Sequence, residues 1–409
     1  MRLGPLILFF FVSAVGAREN SGYAQLKGSA FLKQSETQES DAQGWGTLYT
    51  KSEDRLGEAQ LTGALRAEYI SSDIQGPVFF DPLDRRVRRA PLALPEFWLR
   101  VPLTDSWDLQ VGRFQLGWGK TDGHSPADMF LPRDLTNPFG DEKLPIWAVR
   151  LSGEKAVLRY EVVVSPVTTP WRIPALGTRQ APLLSRDIPK GTIFNELESP
   201  IPDGGFSALR LLATIDDWDL GVWGRAGVRP APILNFRSDL AYLSPSGLVI
   251  PVERRYAREE AVGVEASRLV GAWVMRGEVA ASYSGDHELG DALIASVSGE
   301  KRFGDSTLLL TLADNARKTP VDPVLLFDRS ILPALISAWN RTEEWGEWKL
   351  VFTLGLNRGD GHLKGEVGYN LNDVWKLTGG AELPFGSERG PFGGLAQNRQ
   401  VAATLRRSW

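Results

Sequence analysis

Gln400-Val401-Ala402-Ala403-Thr404-Leu405-Arg406-Arg407-Ser408-Trp409 closes the sequence. Read at a period of two, it separates into a row of Val401, Ala403, Leu405, Arg407 and Trp409 and a row of Gln400, Ala402, Thr404, Arg406 and Ser408. Such alternation marks a β-strand, whose successive side chains point to opposite faces. The first row is apolar except for Arg407 and ends on an aromatic ring. At the other end, Met1–Ala17 has the layout of a secretory signal. Arg2 supplies the charge, Leu6–Ala14 the apolar stretch and Val15-Gly16-Ala17 the small-residue cleavage site. The expected organisation is a signal peptide over 1–17 followed by one structural unit over 18–409.

The same period runs through the chain. Leu158, Tyr160, Val162 and Val164 alternate with Arg159 and Glu161. Trp348, Leu350, Phe352 and Leu354 alternate with Glu347, Lys349 and Thr353. Trp375, Leu377, Ala381, Leu383 and Phe385 alternate with Lys376, Thr378 and Glu382. Tight turns are expected at Thr104–Ser106, Gly153–Lys155, Asp216–Asp217, Val270–Ala272, Phe303–Asp305 and Leu371–Asp373. Between them lie long connections over 71–95, 117–145, 166–204, 229–258 and 315–330. Short and long connections alternate, and a compact soluble domain rarely carries so many long irregular loops. About 18 strands result. The two least regular are Gly44–Lys51 and Ile331–Arg341; the latter holds Pro333, which a central strand resists, and Leu325–Trp339 could instead form a short helix. Without both segments the number falls to 16, but the tight turns then land on the wrong side.

Composition narrows the function classes. Leu6–Ala14 is too short for a spanning helix of roughly 20 apolar residues, and every later apolar run is broken by a charge, Gly or Pro. A formal net charge of −4 argues against a nucleic-acid partner, which usually demands a basic face. The absence of cysteine rules out disulfides, thiolate metal sites, a cysteine nucleophile and covalently attached c-type haem. No cofactor is expected. The histidines are His124, His287 and His362. His124 beside Ser125 and Asp122 is a poor basis for a triad, which is defined by geometry, so no catalytic residues are assigned.

A secreted chain of alternating strands with an aromatic final residue resembles a Gram-negative outer-membrane β-barrel. The resemblance implies an antiparallel transmembrane barrel with short periplasmic turns and long extracellular loops. It also implies outer-membrane lipid, lipopolysaccharide and the barrel assembly machinery as partners, with Trp409 as the membrane-insertion signal. Trp recurs just after the short turns, at Trp107, Trp218, Trp273, Trp348 and Trp375. These residues would form the periplasmic aromatic girdle. The opposite face carries mixed charge, with Arg66, Arg100, Arg150, Arg159, Glu161, Arg210, Arg225, Arg276, Glu278, Lys349, Glu366 and Lys376 expected to face the lumen. In a sandwich core these charges would be prohibitive; lining water they cost little.

One segment is dense in chemistry. Gly112-Arg113-Phe114-Gln115-Leu116-Gly117-Trp118-Gly119-Lys120 continues through Asp122, His124, Asp128, Arg133 and Asp134 to Asn137-Pro138-Phe139. It resembles a pattern in porin-like outer-membrane proteins of uncharacterised function, G-R-x-x-x-x-W-G followed by aspartates and N-P. Gly117 and Gly119 are expected to turn the backbone at the rim. Arg113, Lys120, Asp122, Asp128, Arg133 and Asp134 are expected to fold the loop inward as a constriction. The aspartate spacing matches no EF-hand loop. The basic run Arg85–Arg89 is read as an exterior, solvated stretch. Two functions follow: a water-filled conduit for a polar small molecule, saccharide or polysaccharide, in the last case with a periplasmic export partner, or a non-conducting scaffold in a secretion or envelope complex.

Overall fold

A computed structural model describes residues 19–409 except 35–39, 73–75, 77, 85, 87, 138, 141, 175, 177, 182–191, 198–201, 318–332, 358 and 388–389. The segment read as a signal, 1–17, lies outside the described residues. The barrel strands are β1 (Glu19–Phe31), β2 (Ala42–Leu56), β3 (Ala59–Ile70), β4 (Leu92–Thr104), β5 (Trp107–Phe114), β6 (Ile146–Lys155), β7 (Leu158–Ser165), β8 (Phe206–Ile215) and β9 (Trp218–Val228). They continue as β10 (Arg258–Val270), β11 (Trp273–Tyr283), β12 (Ala292–Phe303), β13 (Ser306–Arg317), β14 (Ala334–Glu343), β15 (Gly346–Gly355), β16 (Gly361–Asn370), β17 (Trp375–Phe385) and β18 (Gln400–Ser408).

Each strand pairs antiparallel with the next, and β1 pairs with both β2 and β18, so the 18-stranded sheet closes on itself. Closure leaves no strand edge unpaired, which is the only way a sheet can cross hydrocarbon. The seam runs to the last residue: Gly22 and Trp409 exchange two backbone hydrogen bonds of 3.1 Å. The Trp409 ring lies over Gly22, where an added Cβ would come within 2.7 Å of it.

Both of the least regular segments are strands, β2 and β14, which settles 18 against 16. Pro333 sits just ahead of β14, where no ladder N–H is required of it. Short turns at 57–58, 105–106, 156–157, 216–217, 271–272, 304–305, 344–345 and 371–374 share one end of the barrel with Glu19 and Trp409. The turn expected at Gly153–Lys155 falls instead at Ala156–Val157. Gly153 belongs to β6 because the Trp107 ring covers it; a Cβ there would lie 2.5 Å from that ring.

The outward rows are apolar. Leu26, Leu48, Val262, Val264, Leu293, Val297 and Leu312 are each more than half exposed around the wall. An apolar surface this extensive requires lipid rather than water. An even-numbered closed barrel, apolar outside and charged inside, is an outer-membrane barrel of porin-like architecture. The five girdle tryptophans all lie within a few residues of a short turn, at the first or third position of β5, β9, β11, β15 and β17. Among the described residues the largest of four buried apolar clusters lies inside, where the connection after β5 meets the wall.

Candidate functional site: a connection folded into the lumen

The connection after β5, residues 115–145, turns into the barrel and runs along its inner wall. Trp118 donates its indole N–H to Glu161 of β7 at 3.1 Å and tilts against Trp223 of β9 at 6.4 Å. Gly119 has a φ of +99°, and a Cβ there would lie 2.0 Å from the Ser125 hydroxyl, so no other residue fits without a shift. The next residues reach Glu278 of β11. Its carboxylate accepts from the backbone N–H of Lys120 and Thr121, both at 2.5 Å, and of Ala127 at 3.2 Å. It also accepts from the hydroxyls of Thr121 at 2.9 Å and Ser125 at 2.8 Å. A buried carboxylate with this many donors is a stable anchor. Further round the wall, Thr311 of β13 donates to the Asp122 carbonyl at 2.7 Å. The returning half packs Met129, Phe130 and Leu131 against the inward Val163, Phe206, Trp223, Ala261, Ala280 and Ile294. The wall is apolar here, where the connection covers it.

Farther along, the connection enters a buried charge network. Arg89 meets Glu68 at 3.1 Å, Asp134 at 3.0 Å and Glu142. Arg172 meets Asp134 at 3.0 Å and also Asp84. Arg66 holds Glu142 and reaches Glu68 at 3.4 Å. Asp134 accepts in addition from the Thr136 N–H at 3.0 Å. Burial works to raise the Glu142 carboxyl, but the positive charges of Arg89 and Arg66 outweigh it and hold the group down at about 2. Burial lowers the Lys120 ammonium, against the attraction of Asp219 and Glu265.

The six residues read as a constriction set have different surroundings. Lys120 donates to the Asp219 carbonyl at 2.9 Å, and Asp122 pairs with Arg276 at 3.2 Å. Asp128 is buried and pairs with Lys143. Asp134 sits at the centre of the charge network, and Arg133 is half-buried beside it in the short ladder with Glu142 and Lys143. Arg113 is in register with the exposed Phe97 and with Trp147, and its guanidinium is taken up by the Pro82 carbonyl and by Asp84 at 2.9 Å. Asp84 also meets Arg172, so Arg113 joins the charge network at Asp134 through that pair. Of the two glycines read as rim turns, Gly117 has open space at its Cβ position and only Gly119 is required.

Register puts Arg66, Arg100, Arg150, Arg159, Glu161, Arg210, Arg225, Arg276, Glu278, Lys349, Glu366 and Lys376 on the inward rows. Most have opposite charges at hand. Arg210 pairs with Glu265 at 2.6 Å, Arg276 with Glu300 at 2.7 Å, Lys376 with Glu347 at 2.6 Å and Arg100 with Asp108 at 2.6 Å. The reading of Arg85–Arg89 as wholly exterior is corrected for Arg89, which is buried and set over the Trp45 ring at 5.3 Å. Arg86 and Arg88 are exposed. Sequence reasoning passed over the anchoring role of Glu278, and it missed Glu142, Arg172 and Arg179. Their partners are too distant in the chain for any local signal.

In the second connection, 166–205 between β7 and β8, Arg179 reaches the residues that precede β2 and β18. Arg179, fully buried, donates to the carbonyls of Lys33 at 2.8 Å and Gln397 at 2.6 Å, and pairs with Asp41 at 2.8 Å. Its own carbonyl accepts from Asn398 at 2.7 Å. Beneath it, Phe139 stacks on His362 of β16 at 4.3 Å, and Phe392 lies on His362 at 5.9 Å.

The chain matches no family model and no curated protein. Among solved structures it is similar to a mutant of the Rh. blastica porin, with 11% identity over 96% of this chain and 100% of that one and a TM-score of 0.42. A loop-deletion mutant of OmpT, an outer membrane protein of Vibrio cholerae, gives 10% identity over 97% and 100% of the two chains and a TM-score of 0.43.

Proposed function

We propose that this barrel is an outer-membrane conduit for polar solutes, saccharides foremost, narrowed by the 115–145 connection. The observation that carries the reading is a lumen lined with charge yet internally compensated. Inward cations and anions stand in pairs from Arg100–Asp108 to Lys376–Glu347. An interior compensated in this way has little net field to favour ions of one sign. It suits neutral solutes that exchange water for hydrogen bonds with Arg, Glu and backbone groups. Proteoliposome swelling tests this. Neutral saccharides should enter faster than amino acids or dicarboxylates of similar size; permeability ordered by charge alone would overturn the reading.

One observation favours the second reading, a closed scaffold. Arg179 pins the 166–205 connection to the residues that precede β2 and β18 through Lys33, Asp41 and Gln397. Correctly folded barrels that pass neither ions nor sugars would support the scaffold. Outer-membrane lipid, lipopolysaccharide and the assembly machinery are partners on either reading.

A further inference from the structure

The outward row at the periplasmic end carries a repeat that a conduit does not need. Four of the five girdle tryptophans stand in register with a cation on the adjoining strand. The pairs are Trp218 with Arg268, Trp273 with Lys301, Trp348 with Arg341 and Trp375 with Arg407. Directly paired residues share a face of the sheet, so all four cations point to lipid, one turn's depth from the short-turn end. The Arg268 guanidinium lies 5.1 Å from the Trp218 ring and the Lys301 ammonium 5.7 Å from the Trp273 ring. Lys301 also lies 4.6 Å from the Phe303 ring. The fifth, Trp107, stands opposite Gly153 instead.

We propose that these Trp–cation pairs bind the phosphates of anionic phospholipid in the periplasmic leaflet. A cation on the lipid face is unfavourable in hydrocarbon and must reach the headgroups, and at Arg268 and Lys301 the neighbouring indole packs against it at that depth. Arg268 is half occupied by Asp217 at 2.6 Å and Arg341 by Glu343 at 2.6 Å. Lys301 makes only ring contacts among the described residues, and Arg407 is exposed in the outward row. These two therefore offer the most charge to a phosphate, and each basic residue near an anionic surface is worth about fivefold in binding. The pairs lie on strands β9–β12, β14, β15, β17 and β18, so they form an arc rather than one pocket.

The test uses full-length protein in mixed micelles of phosphatidylglycerol and phosphatidylethanolamine, with co-purified lipid read by native mass spectrometry. Wild type should retain phosphatidylglycerol preferentially. Joint substitution of Lys301→Gln and Arg407→Gln should reduce that preference by about tenfold or more, with heat-modifiable barrel migration unchanged. Replacing the same residues by Arg and Lys respectively should restore it. Equal retention of the two lipids by wild type would overturn the proposal, as would an undiminished preference in the double Gln variant. Should that variant fail to close, the single variant Arg407→Gln decides: a lowered preference supports the proposal and an unchanged one refutes it.

Discussion

Glu278 concentrates the chemistry of the lumen in one carboxylate. Replacing it by Ala leaves five donors from Lys120, Thr121, Ser125 and Ala127 facing a void. Each unsatisfied buried donor costs about 1–3 kcal/mol, so the 118–127 stretch should come away from the wall. Limited proteolysis of folded Glu278→Ala should cut there while wild type resists; equal resistance would show that the apolar packing of Phe130 suffices alone. Selectivity follows the same residue-level logic. Arg113 is spent on Asp84, so Arg113→Gln should leave the reversal potential in a salt gradient unmoved. Asp122→Asn removes a lumenal negative charge and one of the two carboxylates on Arg276, leaving Glu300, and should shift preference towards anions. The opposite pattern would place Arg113 in the pore.

Among the elements, the two long connections were harder to read than the strands. The 18 strands of the barrel were legible because each wall position answers to lipid on one side and water on the other, which imprints a period of two. The inward course of 115–145 was legible in outline from its charge density and Gly119. Its partners were not, since Lys120 and Glu278 are 158 positions apart and Arg179 and Gln397 are 218 apart. The basic run misled for the same reason: Arg89 is covered by Asp134 and Glu142, which arrive from another connection. Within that network burial raises the Asp134 carboxyl, while Glu142 moves the other way and contributes a pH response of its own. Glu142 titrates from an ordinary 4.5 down to about 2. A depressed carboxylate gives stability that is complete above 4.5 and lost as pH falls through 2. Proteolytic protection of 130–145 should therefore persist at pH 5 and fail towards pH 2, and Glu142→Gln should abolish that step. A protection profile that is flat in wild type would contradict the assignment. Arg179→Gln should raise single-channel conductance by loosening the 166–205 connection; unchanged current would make that connection a passive cover.

The whole molecule rests on closure. Trp409 contributes two backbone bonds and a ring to the β1–β18 seam. Removing it should lower the amount of heat-modifiable barrel in outer membranes sharply, and a normal amount would show that Gln400–Ser408 closes the seam unaided. Closure also encloses the lumen that the 115–145 connection enters. What the alternation in the sequence could not convey is how far the lumen is filled, because filling depends on which wall residues happen to face a folded-in loop. The most direct measurement is planar-bilayer conductance of wild type beside Glu278→Ala, each confirmed as a closed barrel. Wild type should pass steady current, and release of the connection should raise it. No current from wild type, or equal currents from both proteins, would contradict a conduit restricted by the 115–145 connection.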